Sequence, residues 1–145
     1  MPVRGTLVTS AVAALAMLAL VSCTPEPAQP GMAILDRAAS AEDEVPAFVD
    51  LKGKDPSTVR LAADHGGFRF YLARPDQGAG FCLIQVAEAG KDRWGSACTT
   101  DGKPVLTTNL LGYGSEAAVV ADGGDTGDLV GQGYALIQDN ILVRR

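Results

Sequence analysis

Three regimes of hydrophobic and polar patterning follow one another along the chain. Residues 7–21 form an uncharged, largely apolar run, residues 24–31 are polar and rich in Pro, and from residue 57 onward apolar positions recur in short blocks. Several blocks alternate with a period of two, the mark of a strand with one buried face. Strands are predicted near 58–63 and 68–74, with Phe68, Phe70 and Leu72 on one face. The block Phe81-Cys82-Leu83-Ile84-Gln85-Val86-Ala87 is apolar on both faces and predicts an interior strand within 80–87. Further strands are predicted near 105–108 and 116–121, with a terminal hairpin from 133–137 and 141–143 about Gln138-Asp139-Asn140. Turn chemistry separates these blocks at Asp64-His65-Gly66-Gly67, Pro75-Asp76-Gln77-Gly78, Gly90, Asp101-Gly102 and the glycines of a 109–115 loop.

This spacing predicts a mainly β fold: a small antiparallel β-sandwich or partly open barrel of about seven to eight short strands, with one or two short helices. The first helix is a single turn, opened by Ser40 and Asp43 as a capping box and stopped by Pro46. Its acidic cluster Glu42-Asp43-Glu44 reads as a solvated helix start, because adjacent side chains on a helix point in different directions. The second is capped by Asp125 or Thr126, runs through Leu129 and Val130, and ends at Gly131 or Gly133.

A chain reversal about Gly90 has a further consequence. It sets Cys82 opposite Cys98, Ile84 opposite Ser96 and Val86 opposite Trp94 in an antiparallel pair. The two Cys then form a cross-strand disulfide, worth about 3 kcal/mol by the chain-entropy model.

The amino-terminal pattern speaks to location. Arg4 precedes the apolar run, which has the length of a signal-peptide core and falls short of the about 20 residues that cross a bilayer. It closes on Leu20-Val21-Ser22-Cys23. That ending resembles the lipobox of bacterial lipoproteins, in which the Cys is lipidated and the leader removed. The resemblance implies a leader at 1–22, a lipid on Cys23, a Pro-rich tether at 23–31 and a single β-rich domain at 32–145. An anchor with two acyl chains holds a protein on a membrane stably. Of the three Cys, assigning Cys23 to the lipid leaves Cys82 and Cys98 to pair in an exported, disulfide-permissive compartment. From about Leu35 onward the chain is also loosely similar to small exported bacterial proteins. The likeness runs through the acidic segment before Pro46, Phe70-Tyr71-Leu72, the two Cys, Val119-Val120-Ala121-Asp122-Gly123 and Asn140-Ile141-Leu142-Val143. No activity comes with that likeness.

Charge and motif content narrow the function classes. The chain carries 12 basic and 17 acidic residues, and loss of residues 1–22 removes only Arg4, leaving 11 against 17. Nucleic acid is excluded as a partner, since phosphate neutralisation requires clustered Lys and Arg and the only adjacent pair is Arg144-Arg145. His65 is the only His; with no second His to build a common metal set, it reads as a turn residue. Asp122, Asp125 and Asp128 are spaced at relative positions 1, 4 and 7, which does not fit a calcium loop. Ser96 and Ser115 both lack the G-x-S-x-G elbow of nucleophilic hydrolases. No catalytic residue, metal or cofactor is assigned, and the chain is not read as an enzyme. The expectation is a binding module held by Cys23 on the outer face of the cytoplasmic membrane, meeting an envelope protein or polymer. The alternatives are a small-molecule or lipid binder with a pocket in the sheet, and a hydrolase of another type.

Overall fold

The computed structural model describes Met1, residues 31–89, 93–99 and 115–144, and the backbone course of 105–110. Outside the described residues lie Leu20-Val21-Ser22-Cys23, the tether up to Pro30, and the turns at Gly90, Asp101-Gly102 and Gly112 to Gly114.

Among the described residues the fold is mainly β. The strands are β1 (Arg60–His65), β2 (Phe68–Ala73), β3 (Cys82–Ala87), β4 (Trp94–Cys98), β5 (Val105–Leu110), β6 (Ser115–Val120), β7 (Tyr134–Gln138) and β8 (Ile141–Arg144); the helix α1 spans Gly127–Gly131. They form two four-stranded antiparallel sheets, ordered β1-β2-β3-β4 and β5-β6-β8-β7, and no closed barrel. The edges β4 and β5 approach each other, as do β1 and β7, without a ladder between them.

Period-two alternation divides each buried strand between two packing layers. Phe70, Leu72 and Leu83 of the first sheet meet Ala117, Val119 and Ile141 of the second, with Phe81, Met32 and Leu35 completing the central core. The other face of the first sheet carries Tyr71, Ala73, Cys82, Ile84 and Val86. It is covered by Val45, Phe48, Val49, Leu51 and Val59 from the segment before β1. β3 is therefore buried at every residue, as its apolar faces predict. The outer face of the second sheet, with Ala118, Val120 and Leu142, is covered by Leu129 of α1 and by Tyr134.

The β3–β4 register is the one that reversal about Gly90 requires: Cys82↔Cys98, Ile84↔Ser96 and Val86↔Trp94. A disulfide joins Cys82 and Cys98, whose Cα atoms are 3.9 Å apart. β1 and β2 are joined by the two residues Gly66 and Gly67, with φ of 61° and 79°. Positive φ at both positions makes this a tight hairpin turn matched to strand twist. His65 is consequently the last residue of β1, paired with Phe68.

Three local readings change. Thr58 and Val59 do not begin the first strand, which starts at Arg60. The Asp55 side chain accepts the Ser57 backbone N–H at 2.9 Å, and residues Pro56–Thr58 close into a 3-10 turn. β5 continues through Asn109 and Leu110, because both still find partners in Glu116 and Ser115 of β6. The largest change concerns Asp43. Its capping box with Ser40 is present, but the carboxylate is not solvated: the residue is 6% exposed. Asp43 pairs with Arg37 at 2.5 Å and accepts the Leu61 backbone N–H at 2.7 Å, while Arg37 donates to the Leu61 carbonyl at 3.4 Å. Together they occupy the exposed edge of β1 as a neighbouring strand would. The bond from Arg37, followed by those from Ser40 and Leu61, outweighs burial and holds the Asp43 carboxyl well below the usual carboxylate range.

Candidate functional site

Two open clefts with polar neighbours lie at opposite ends of the second sheet. Asp122 follows β6 at the end where the chain enters. Its backbone N–H donates to the Gly31 carbonyl at 2.9 Å, its Oδ2 accepts the Ala33 N–H at 2.6 Å, and its Oδ1 accepts from Asn140 Nδ2 at 2.8 Å. Asn140 Nδ2 also donates to the Val120 carbonyl at 3.0 Å. Asp125 Oδ1 caps Gly127 N–H at 2.8 Å, which starts α1. The acidic loop thus works as a set of backbone caps. Beside it lies an open cleft of about 300 Å³ lined by Ala33, Ile34, Ala62, Gln138 and Asp139 among others.

At the opposite end, where β1 turns into β2 and where β6 begins, a second cleft of about 270 Å³ opens between the sheets. Phe68, Phe70 and Val143 supply its apolar wall and His65 and Ser115 its polar side chains; Arg144 borders it, with its guanidinium turned to Glu116 and Tyr134 on the outer face of the second sheet. The Phe68 and Phe70 rings lie 6.4 Å apart and tilted by 39°. Strand pairing explains the assembly: His65 and Phe68 flank the hairpin turn, Phe70 faces inward two residues on, and Ser115 opens β6 on the facing sheet.

Gln85 fastens the two sheets behind this cleft. It sits on the inner face of β3, 1% exposed, and its Nε2 donates to Ser115 Oγ. A hydroxyl that accepts one hydrogen bond keeps its own proton for donation. Arg144 donates from Nη1 to Glu116 Oε2 at 2.9 Å and lies 5.8 Å from the centre of the Tyr134 ring. Glu116 also accepts from the Tyr134 hydroxyl at 2.8 Å. That bond, then the one from Arg144, lowers the Glu116 carboxyl, whereas burial followed by the Glu116 bond pushes the Tyr134 phenol up to about 12.

The residues singled out from the sequence separate into two groups. Cys82 and Cys98 are joined on the outer face of the first sheet, away from the inter-sheet cleft, and Cys23 lies outside the described residues. His65, read as a plain turn residue, shares a cleft with Ser115, but Ser115 Oγ is bonded to Gln85. Among the described residues no three His, Cys, Asp or Glu side chains gather as a metal-ligand set, and no helix is long and apolar enough to cross a membrane. Gln85 and Arg144 were missed. The signal for Gln85 was available, since a single amide inside a strand buried on both faces must find a partner across the core. Arg144 carried no such signal, because its place depends on β8 lying between β6 and β7.

No family model, curated protein or solved structure matches the chain.

Proposed function

We propose that the chain is a lipid-anchored cell-envelope protein whose β domain acts as a binding module on the outer face of the cytoplasmic membrane. The observation that carries this reading is Leu20-Val21-Ser22-Cys23 closing an apolar leader, followed by a Pro-rich stretch with little to bury. The Cys82–Cys98 disulfide supports it in two ways. Disulfides belong to oxidising compartments, and pairing these two leaves Cys23 as the one thiol for the lipid. The last residue of the Pro-rich stretch, Gly31, is held at the Asp122 end of β6, so the six residues of that strand, about 20 Å, separate the point of entry from Ser115. The inter-sheet space is filled by residues such as Leu72, Leu83, Val119 and Ile141, each fully buried, which favours recognition at the surface over a ligand enclosed within the sheets.

Cell fractionation tests the anchor. Cys23→Ala is expected to move the protein out of the membrane fraction and to abolish incorporation of labelled fatty acid. Retention of Cys23→Ala on membranes with the label intact would overturn the lipoprotein reading.

A further inference from the structure

The outer face of the first sheet is closed by a segment that is neither helix nor strand. Residues 44–52 lead from the Ala41–Asp43 turn to Gly53, and Phe48, Val49 and Leu51 pack in one cluster with Tyr71, Ile84 and Val86 of the sheet. Both ends of the segment are fastened. On one side Asp43 accepts the Leu61 backbone N–H at 2.7 Å and pairs with Arg37. On the other, the Asp55 N–H donates to the Arg74 carbonyl at 2.9 Å and the Asp76 N–H to the Gly53 carbonyl at 3.2 Å. Between these fastenings the hydrogen bonds are local. The Val49 N–H donates to the Pro46 carbonyl at 2.9 Å, the Lys52 N–H to Asp50 Oδ1 at 2.8 Å, and Lys54 bonds back to the Leu51 and Lys52 carbonyls. Among the described residues, the bond that reaches the segment from the face it covers is the one from the Tyr71 hydroxyl to the Glu44 carbonyl, at 3.4 Å.

Apolar side chains therefore hold the segment down, whereas the strands beneath it are held by ladders to their neighbours. A surface loop tied at both ends and packed through its own side chains has the form of an Ω-loop. Lifting it breaks no ladder of either sheet. Burial of Tyr71, Ile84 and Val86 favours the closed form, so the open form is a minor state, reached at less cost than unfolding of the sheets. We infer that residues 44–52 form a lid that lifts from the first sheet while both sheets stay folded, uncovering Tyr71, Ile84 and Val86. The inference goes beyond the reading of the domain as a binding module: it concerns a motion of the fold and stands whether or not Cys23 carries a lipid.

The test is hydrogen exchange of backbone amides in the full, unaltered protein, followed residue by residue at rising guanidinium chloride concentrations that leave it folded. The reporters are the Val49 amide, bonded within the segment, and the Leu83 and Ile84 amides of β3, which lies between two paired strands. After correction for intrinsic rates, Val49 is expected to exchange more than about tenfold faster than Leu83 and Ile84. Its rate should rise with denaturant less steeply than theirs but measurably, because that slope follows the surface an opening exposes. Exchange of Val49 at the rate and slope of β3 would mean that the segment opens only when the sheet unfolds, and would overturn the inference. A Val49 rate without denaturant dependence would mean a fluctuation that uncovers nothing, and exchange at the rate of a free peptide would mean that no closed form exists; either result overturns it as well. None of these results bears on membrane attachment through Cys23, which the fractionation experiment decides separately.

Discussion

At the end where Gly31 enters, Asp122 is engaged through its backbone N–H and both carboxylate oxygens, and Asn140 bridges it to the Val120 carbonyl. At the other end Ser115 Oγ is bonded to Gln85, and Arg144, Glu116 and Tyr134 form a cluster of side chains on the outer face of the second sheet. Both ends are polar and both carry an open cleft, but Asp122 caps backbone groups, whereas Glu116, Tyr134 and Arg144 bond side chain to side chain. Removing a cap leaves backbone groups without a partner, whereas a pair at the surface is cheaper to replace. The contrast locates the larger contribution to stability at the entry end.

Substitutions can break or sharpen that contrast. The largest loss is expected from Asp43→Ala, about 3 kcal/mol by denaturant unfolding, because it removes the buried partner of Arg37 and strands the Leu61 N–H. The low end of the range applies, since Arg37 is itself 39% exposed and partly screened by water. The same pair sets an acid limit. The Asp43 carboxyl is lowered in the fold, so its contribution is present above the unfolded carboxylate value of about 3.9 and is lost as pH falls below that value toward the lowered one. Asp43→Asn is expected to flatten the decline in stability below about pH 4.

Asp122→Ala should cost about 2 kcal/mol, since it leaves the Ala33 N–H and the Asn140 amide without their acceptor. At the remote end, Tyr134→Phe is expected to cost about 1 kcal/mol, one hydrogen bond to Glu116. Its alkaline behaviour has the opposite sense to that of Asp43. A phenol raised in the fold to about 12 contributes stability that is complete below its unfolded value of about 10 and is lost as pH rises toward 12. Tyr134→Phe should remove that loss from the alkaline limb of a stability profile. His65→Ala, on an exposed residue beside the Gly66-Gly67 turn, should change stability by less than about 0.5 kcal/mol. A loss from His65→Ala as large as that from Asp122→Ala would remove the distinction between the ends.

What the sequence makes legible follows from how local the signals are. The β3–β4 register could be read because a turn residue and two Cys fix it within one hairpin, and the Gly66-Gly67 turn because positive φ at two positions has a narrow composition. The Ser40–Asp43 box is equally local and was legible as a cap. The fate of Asp43 was not, because the Leu61 N–H that draws it inward lies 18 residues away. Residues 45–51 carry Val45, Phe48, Val49 and Leu51 without a helical or strand period, and only the outer face of the first sheet gives them a place. The remote cleft is assembled from residues 65–70, Ser115 and residues 143–144 on facing sheets, so no stretch of sequence shows its chemistry.

The most direct measurement compares Asp122→Ala with Tyr134→Phe by denaturant unfolding. A loss larger by about 1 kcal/mol for Asp122→Ala is the predicted result, since it leaves the Ala33 N–H and the Asn140 amide without their acceptor. Equal losses, or a larger loss from Tyr134→Phe, would contradict the assignment of the greater stability to the end where Gly31 enters.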